Sequence, residues 1–284
     1  MNIRQVRKKI KSVTNVRKIT KAMQLVSAIK MKKAQAAAIE ARPYQDNIDE
    51  IIAKISASLD AKYSLLLNTD DKAKQKDLVI VITSNKGLCG SFNFNLFRYM
   101  TRSGDWKNRD FVVIGKKAAT LIPRFGSKVI ADFSSNQPQN SVSAVFQLAI
   151  DGFLKGEYKN VYMIYNRFYS VLKIEPVEEK LLPFAYKTKA PMVKEKIEEY
   201  LVEPDPYKII DALLRSYIEE KIRNAVIQSE AGEHSARMMA MKSATENAND
   251  VIFNLTLLRN KIRQEKITGE LLDMITAKES VEVS

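Results

Sequence analysis

The sequence is poor in the residues that anchor small-molecule chemistry. Among 284 residues there is one cysteine, one histidine and one tryptophan. A single Cys89 excludes an intramolecular disulfide and a cysteine-based zinc site, and it fits a reducing compartment. The lone His234 sits in Gly-Glu-His-Ser-Ala-Arg with no second His or Cys beside it. It therefore offers no metal-ligand spacing, and it is too far along the chain to suggest a base for Cys89. No window reaches 18 uncharged apolar residues, which excludes a membrane-spanning helix. Acidic residues are missing from the first forty positions apart from Glu40. Glycine is absent before Gly87, Pro43 is the only proline before Pro123, and no proline follows Pro206. Both ends of the chain lack the residues that terminate helices.

What is present is a packed-core composition with an uneven charge. Hydrophobic residues make up 45%, enough to exclude disorder as the main state, and the length allows one to two domains. The formal net charge is +13, from 46 Lys and Arg against 33 Asp and Glu. Residues 1–40 carry 11 of those cations and a net of +10, residues 41–204 a net of +5, and residues 205–284 a net of −2. The excess is thus an N-terminal arm, and such arms bind nucleic acid, membranes or acidic protein surfaces. Arg7-Lys8-Lys9-Ile10-Lys11 and Lys30-Met31-Lys32-Lys33 could meet phosphates, but the arm has no aromatic residue before Tyr44. Its Arg-rich, acid-poor character also mimics a transit peptide. Its helical pattern marks it instead as part of the mature fold.

Apolar and small residues recur at 3/4 spacing along the arm: Ile3, Val6, Ile10, Val13, Thr20, Met23, Val26, Ala34, Ala37 and Ala41. This predicts a helix over residues 3–58, about 84 Å long at ~1.5 Å per residue, bent or weakened at Pro43. Asp205-Pro206 is a helix start. From it a second seam runs through Leu214, Ile218, Ile222, Ala225, Ser229, Gly232, Ala236, Ala240, Ala244, Ala248, Val251, Leu255, Leu258 and Ile262. A helix from 206 to about 276 spans on the order of 105 Å, so an antiparallel coiled coil with the first helix is expected. The small residues from Ala225 to Ala248 allow close backbone approach.

The middle has another texture. Asp77–Ser84, Phe111–Gly115, Val161–Tyr165 and Val171–Pro176 read as strands, and Lys116–Arg124 and Ser141–Leu154 as helices. Residues 59–76 read as a polar connection, and five of the eight prolines fall between 176 and 206, marking the exit. The expected organisation is α+α/β: a coiled-coil helix over 1–58, a connection over 59–76, a Rossmann-like α/β domain over 77–205, and a second coiled-coil helix over 206–284.

The turn Ser84-Asn-Lys-Gly-Leu-Cys-Gly-Ser-Phe-Asn93 follows a strand and contains Gly87, Gly90 and Lys86. It matches neither GxGxxG nor GxxxxGK[ST], so it reads as a tight packing turn rather than a phosphate loop. Cys89 reads as a buried structural thiol. The pairs Glu178-Glu179, Glu198-Glu199 and Glu219-Glu220 read as solvated faces. No cofactor and no metal site is expected.

Several motifs together resemble one family, the gamma subunit of F-type ATP synthase in its bacterial form. They are Ile19–Met23 with Met31–Gln35, Thr83–Gly90, Tyr200–Asp205, Ser229–Asn247 and Asn260–Leu271, in the family's order along the whole chain. The resemblance implies a non-catalytic rotor shaft. Its coiled coil would enter a hexameric ring of alpha and beta subunits, and its α/β domain would sit on the c-subunit ring with the epsilon subunit. It would carry torque for proton-driven synthesis and regulate ATPase activity and proton flow. The basic arm would then face acidic loops of the beta subunits rather than nucleic acid. Position by position, Met23 and Lys21 match the contact near those loops. Arg237, Gln264, Thr268 and Glu270 match polar positions facing the ring or the N-terminal helix, and Tyr200 and Glu203 match the c-ring side. Ile29, Ile262 and Phe92 depart from the commoner pattern. One cysteine does not fit the redox-regulated chloroplast form, and a peripheral place on the cytoplasmic face of the bacterial inner membrane is expected. The competing readings are a basic coiled-coil nucleic-acid binder and a small nucleotide-binding enzyme.

Overall fold

The computed structural model describes residues 2–58, 66–67, 76–103, 106–135, 137–184 and 206–282. Two helices bracket a sheet domain: α1 (Ile3–Ser58) and α5 (Pro206–Glu282). Between them lie β1 (Asp77–Ile82), α2 (Phe92–Ser103), β2 (Arg109–Ile114), α3 (Lys116–Leu121), β3 (Lys128–Asp132), α4 (Val142–Leu154), β4 (Asn160–Phe168) and β5 (Ile174–Leu182). No described helix is long and apolar enough to cross a membrane. The chain divides into two compact units, Ile29–Ala236 and Met1–Ala28 with Arg237–Ser284, so α1 and α5 each contribute to both.

In the larger unit the sheet order is β3-β2-β1-β4-β5, with β1 to β4 parallel and β5 antiparallel to β4. This is the Rossmann-like half-sheet expected from alternating β and α segments. Strand periodicity sorts the residues of β1 onto two dry faces. Leu78, Ile80 and Ile82 meet α4 through Val145, Phe146 and Ala149, together with Ile48 and Ile52 of α1 and Leu214 and Ile218 of α5. Val79 and Val81 meet Leu96 and Met100 of α2 and Ala118 of α3. Each fully buried side chain of this kind contributes roughly 1.5–3 kcal/mol by leaving water.

Several boundaries move. Pro123 stops α3 at Leu121, and the rest of the expected helix tightens to a 3-10 turn over Ile122–Phe125. The last strand runs over Ile174–Leu182 rather than Val171–Pro176, because 170–173 turn the hairpin instead. Strand β3 has no counterpart in the sequence reading. It is a short edge strand with charges at both ends, Lys128 and Asp132, and its apolar run is too short to stand out. Gly115 follows β2 at φ +116°, and a Cβ there would lie 2.1 Å from the Thr83 carbonyl oxygen. Only glycine allows this close passage of β2 beside the end of β1. Thr83 then fastens the junction, its hydroxyl donating to Gly115 O at 3.1 Å and accepting from the Ala118 N–H at 3.0 Å.

In the smaller unit α1 and α5 run antiparallel. Arg17 donates to Asn249 at 3.2 Å and the Thr20 and Thr245 hydroxyls meet at 2.8 Å. The buried and half-buried line of α1 is Ile3, Val6, Ile10, Val13, Arg17, Thr20, Gln24 and Ser27, an unbroken 3-4 alternation. The expected seam through Met23 and Val26 is therefore corrected. Met23 lies half-buried on the flank, Val26 is 53% exposed, and Ser27 is 3% exposed. On α5, Val251 and Leu258 are exposed, and the line runs instead through Met241, Thr245, Ala248, Ile252, Leu255, Arg259 and Ile262. A 3.5-residue period holds its phase along a helix, and steps of three and three (Thr20, Met23, Val26) leave it.

Candidate functional site

The turn after β1 spends its polar groups on itself. Asn93 of α2 accepts from the Ser84 N–H at 3.2 Å and donates to Ser84 Oγ at 2.8 Å and Cys89 Sγ at 3.3 Å. Ser84 Oγ donates to the Lys86 carbonyl at 2.8 Å. Asn85 accepts from the Lys116 N–H at 3.1 Å and donates to Ser135 O at 2.6 Å. The Phe92 and Asn95 N–H groups at the start of α2 go to Cys89 O and Ser91 O. Donors that would cradle a phosphate are thus turned inward, as a packing turn requires. Cys89 is buried among these groups, with Ser84 Oγ 3.8 Å away.

In an open α/β sheet a ligand binds beyond the strand ends where the strand order reverses. Here that place lies between the ends of β1 and β4, and the chain fills it. A Cβ on Gly232 of α5 would stand 3.2 Å from Phe92 and 3.3 Å from Ile174, with Asn166 O at 3.9 Å. Asn166, itself buried, donates to Phe92 O at 3.0 Å. Ser235 donates to Val171 O in the β4–β5 turn at 3.0 Å. A groove of about 160 Å³ between the sheet and an earlier stretch of α5 is lined by Tyr165, Arg167, Glu179, Tyr217 and Glu220. Its charges are already engaged: Arg167 pairs with Glu179, and Arg223 draws Glu220 at 3.3 Å.

A half-buried acid, a buried one and a tyrosine show how the larger unit treats charge. Burial pushes the Glu230 carboxyl up, while the Gln139 amide and nearby Lys30 and Lys33 pull the other way. Asp110 is held by Lys76 at 2.6 Å and by the Tyr158 hydroxyl at 3.3 Å. Burial first, then the Asp110 charge, push the Tyr158 hydroxyl up to about 12.

The positions expected to face partners fall into separate places. Lys21 is exposed and donates to Gln24 at 3.3 Å, and Met23 is half-buried beside it. Arg237 is buried, 7% exposed. Gln264, Thr268 and Glu270 are exposed. Thr268 donates to its own Gln264 carbonyl at 3.0 Å, and Glu270 pairs with Lys266 at 3.3 Å. Along α5, Gln264 stands roughly 40 Å from Arg237 at ~1.5 Å per residue, so these form no single cluster. Tyr200 and Glu203 lie outside the described residues. The sequence reading missed Gln24, Ser27, Thr245 and Asn249, the polar residues that line the helix contact. For Gln24 and Ser27 the signal was phase continuity with Ile3–Val13, not hydrophobicity.

Apolar side chains meanwhile face outward: Ile19 is 60% exposed, Phe253 64% and Met274 67%, with Val16, Leu25, Leu257, Leu271 and Ile275 also exposed. From Arg263 to Lys278 every residue except Gly269 is exposed. These features define a class: a protein of paired helices with large apolar side chains exposed among their charges, and an α/β domain whose ligand crevice is filled by its own chain.

Comparison with known proteins gives that class its family. A family profile described as ATP synthase matches residues 2–281. The ATP synthase gamma chain of Polaromonas naphthalenivorans is 39% identical over 98% of this chain and 99% of its own length. That of Akkermansia muciniphila is 34% identical over 99% of each. Among solved structures, a chain in the rotor of Euglena gracilis mitochondrial ATP synthase superposes with a TM-score of 0.66 at 19% identity, covering 93% of this chain and 98% of that one. The chain belongs to the ATP synthase gamma chain family and is a non-catalytic, peripheral subunit of that enzyme. The nucleic-acid reading of the basic arm gives way to this placement.

Proposed function

We propose that this chain is the rotor shaft of a proton-translocating F-type ATP synthase on the cytoplasmic face of a bacterial inner membrane. Its helix pair is enclosed by alternating alpha and beta subunits. Its α/β domain is turned by the c ring together with the epsilon subunit. The observation that carries this reading is the set of large apolar side chains left exposed on the helix pair beside a contact that is polar in part. A polar seam through Arg17, Thr20, Gln24 and Ser27 lies inside, and Ile19, Val26, Phe253 and Met274 lie outside. Such a pair leaves apolar area in water until a surrounding protein covers it.

The shaft acts through differential contact. A cross-section without threefold symmetry touches three chemically identical sites differently, and rotation alters their affinities only through those differences. Met23 and Lys21 stand where the shaft meets acidic loops of the beta subunits. Arg237 braces the pair from within. Gln264, Thr268 and Glu270 meet the ring near the C-terminal end of α5, and Tyr200 and Glu203 serve the c-ring side.

Reconstitution of this chain with alpha, beta and the remaining subunits in sealed vesicles tests the reading. Wild type restores ATP-driven proton pumping. Met23→Lys, which sets a new cation beside acidic loops, lowers pumping more than it lowers ATP hydrolysis. A chain that binds duplex nucleic acid at physiological salt and ignores the ring refutes the proposal.

A further inference from the structure

Helix α5 is held in two different ways along its length. Between residues 225 and 235 it is buried nearly all round. At 100° per residue, buried Ala225, Val226, Ile227, Ala231 and Ser235 leave no gap wider than about 100° around the helix axis. Exposed residues return at Lys242, and from there to Leu258 Ala248 alone is buried. A helix buried on one stripe can roll against its neighbour. A helix buried on every side is fixed about its own axis.

The grip comes from separated elements. On one side Gly232 lies close against Phe92 of α2 and Ile174 of β5, where a Cβ would stand 3.2 and 3.3 Å away and the neighbours would have to give by a few tenths of an ångström. Ser235 also donates to the Val171 carbonyl in the β4–β5 turn. Elsewhere Gln139, ahead of α4, donates to Glu230 at 3.0 Å, and Ser143 of α4 donates to Glu219 at 2.6 Å. Contacts on opposite sides of the helix resist rotation about its axis as a couple, which a single stripe cannot do. The same helix continues past Arg237 to Glu282.

Resting on the rotor reading above, we infer that the socket around Gly232 and Ser235 is the fixed joint through which the α/β domain passes torque into α5. Gly232 is its positioning residue. The crevice that related α/β sheets use for a ligand is here used to seat a helix. The joint does not slip during turnover: the domain and residues 225–235 rotate as one body, and any twist accumulates beyond Arg237.

The test uses the whole reconstituted enzyme in sealed vesicles, with ATP hydrolysis and ATP-driven proton pumping read separately. Gly232→Leu pushes α5 off Phe92 and Ile174, and the enzyme is expected to lose most of its pumping per ATP hydrolysed while keeping hydrolysis. A reversible disulfide between Val171→Cys and Ser235→Cys is expected to leave pumping in the Gly232 enzyme unchanged and to restore it in Gly232→Leu. Normal pumping by Gly232→Leu overturns the inference. So does a disulfide that stops the Gly232 enzyme when oxidised and releases it on reduction, because the helix must then move in its socket. Should Gly232→Leu fail to assemble, the disulfide in the Gly232 background decides alone. Absence of coupled pumping with the wild-type chain would instead refute the rotor reading, a distinct result.

Discussion

The two units solve opposite problems with the same helices. The larger unit buries Leu78, Ile80, Val79 and Val81 on both faces of a sheet and so holds a dry core of its own. The smaller unit mixes threonine, serine, glutamine and arginine with Val6, Met241 and Leu255 between its helices and leaves Ile19, Leu257 and Phe253 exposed. A hydroxyl pair contributes only about 0.5–1.5 kcal/mol net, far less than the apolar contacts it replaces. The lesson is that one region is stable by its own core, whereas the other depends on what surrounds it.

That contrast can be broken most forcefully at Gly115. Gly115→Ala drives a Cβ into the Thr83 carbonyl, and the α/β domain should lose about 3 kcal/mol or more. Trp106, packed against Phe111 and Phe125, reports this unit alone, so a lowered urea midpoint in its fluorescence is the measurement. An unchanged midpoint would mean that the β1–β2 junction is looser than the geometry requires.

A smaller effect concerns pH. The Tyr158 hydroxyl is pushed up to about 12 by burial and Asp110, whereas an unfolded tyrosine ionises near 10. The raised value means this contribution to stability is complete below pH 10 and disappears as pH climbs toward 12. Tyr158→Phe should flatten that part of the alkaline decline followed by Trp106 fluorescence. Tyr162 and Tyr165, also shifted upward by burial, retain theirs.

The smallest effect is expected in the other unit. Thr20→Val combined with Thr245→Val removes both partners of one hydrogen bond while keeping their shape. The change in stability should lie within about 1 kcal/mol, neutral or favourable. Thermal unfolding followed by circular dichroism checks it, and a large loss would show that the polar seam stabilises the pair after all. Either single substitution should also be small, because the remaining hydroxyl keeps a carbonyl of its own helix, Arg17 O for Thr20 or Met241 O for Thr245.

Much of this architecture is legible in the sequence. The punctuation-free ends and their 3/4 spacing announced two long helices, and the β-branched run after Asp77 announced a buried strand. Strand β3 escaped because Lys128 and Asp132 hide a three-residue apolar core at a sheet edge. The seam through Gln24 and Ser27 escaped because hydrophobicity pointed to Met23 and Val26, one step out of phase. The polar positions Gln264, Thr268 and Glu270 look like any solvated helix, and only their motif singles them out.

Local periodicity therefore determined which segments are helix and strand, and in what order, because spacing along the chain sets which side chains share a face. Which face meets which partner was decided by the tertiary structure alone. An amphipathic ladder does not say whether its apolar side looks inward to its neighbour or outward to a surrounding ring. A glycine in a helix does not say what must lie against it. Only the placement of Phe92 and Ile174 against Gly232 turns a ligand crevice into a seat for α5.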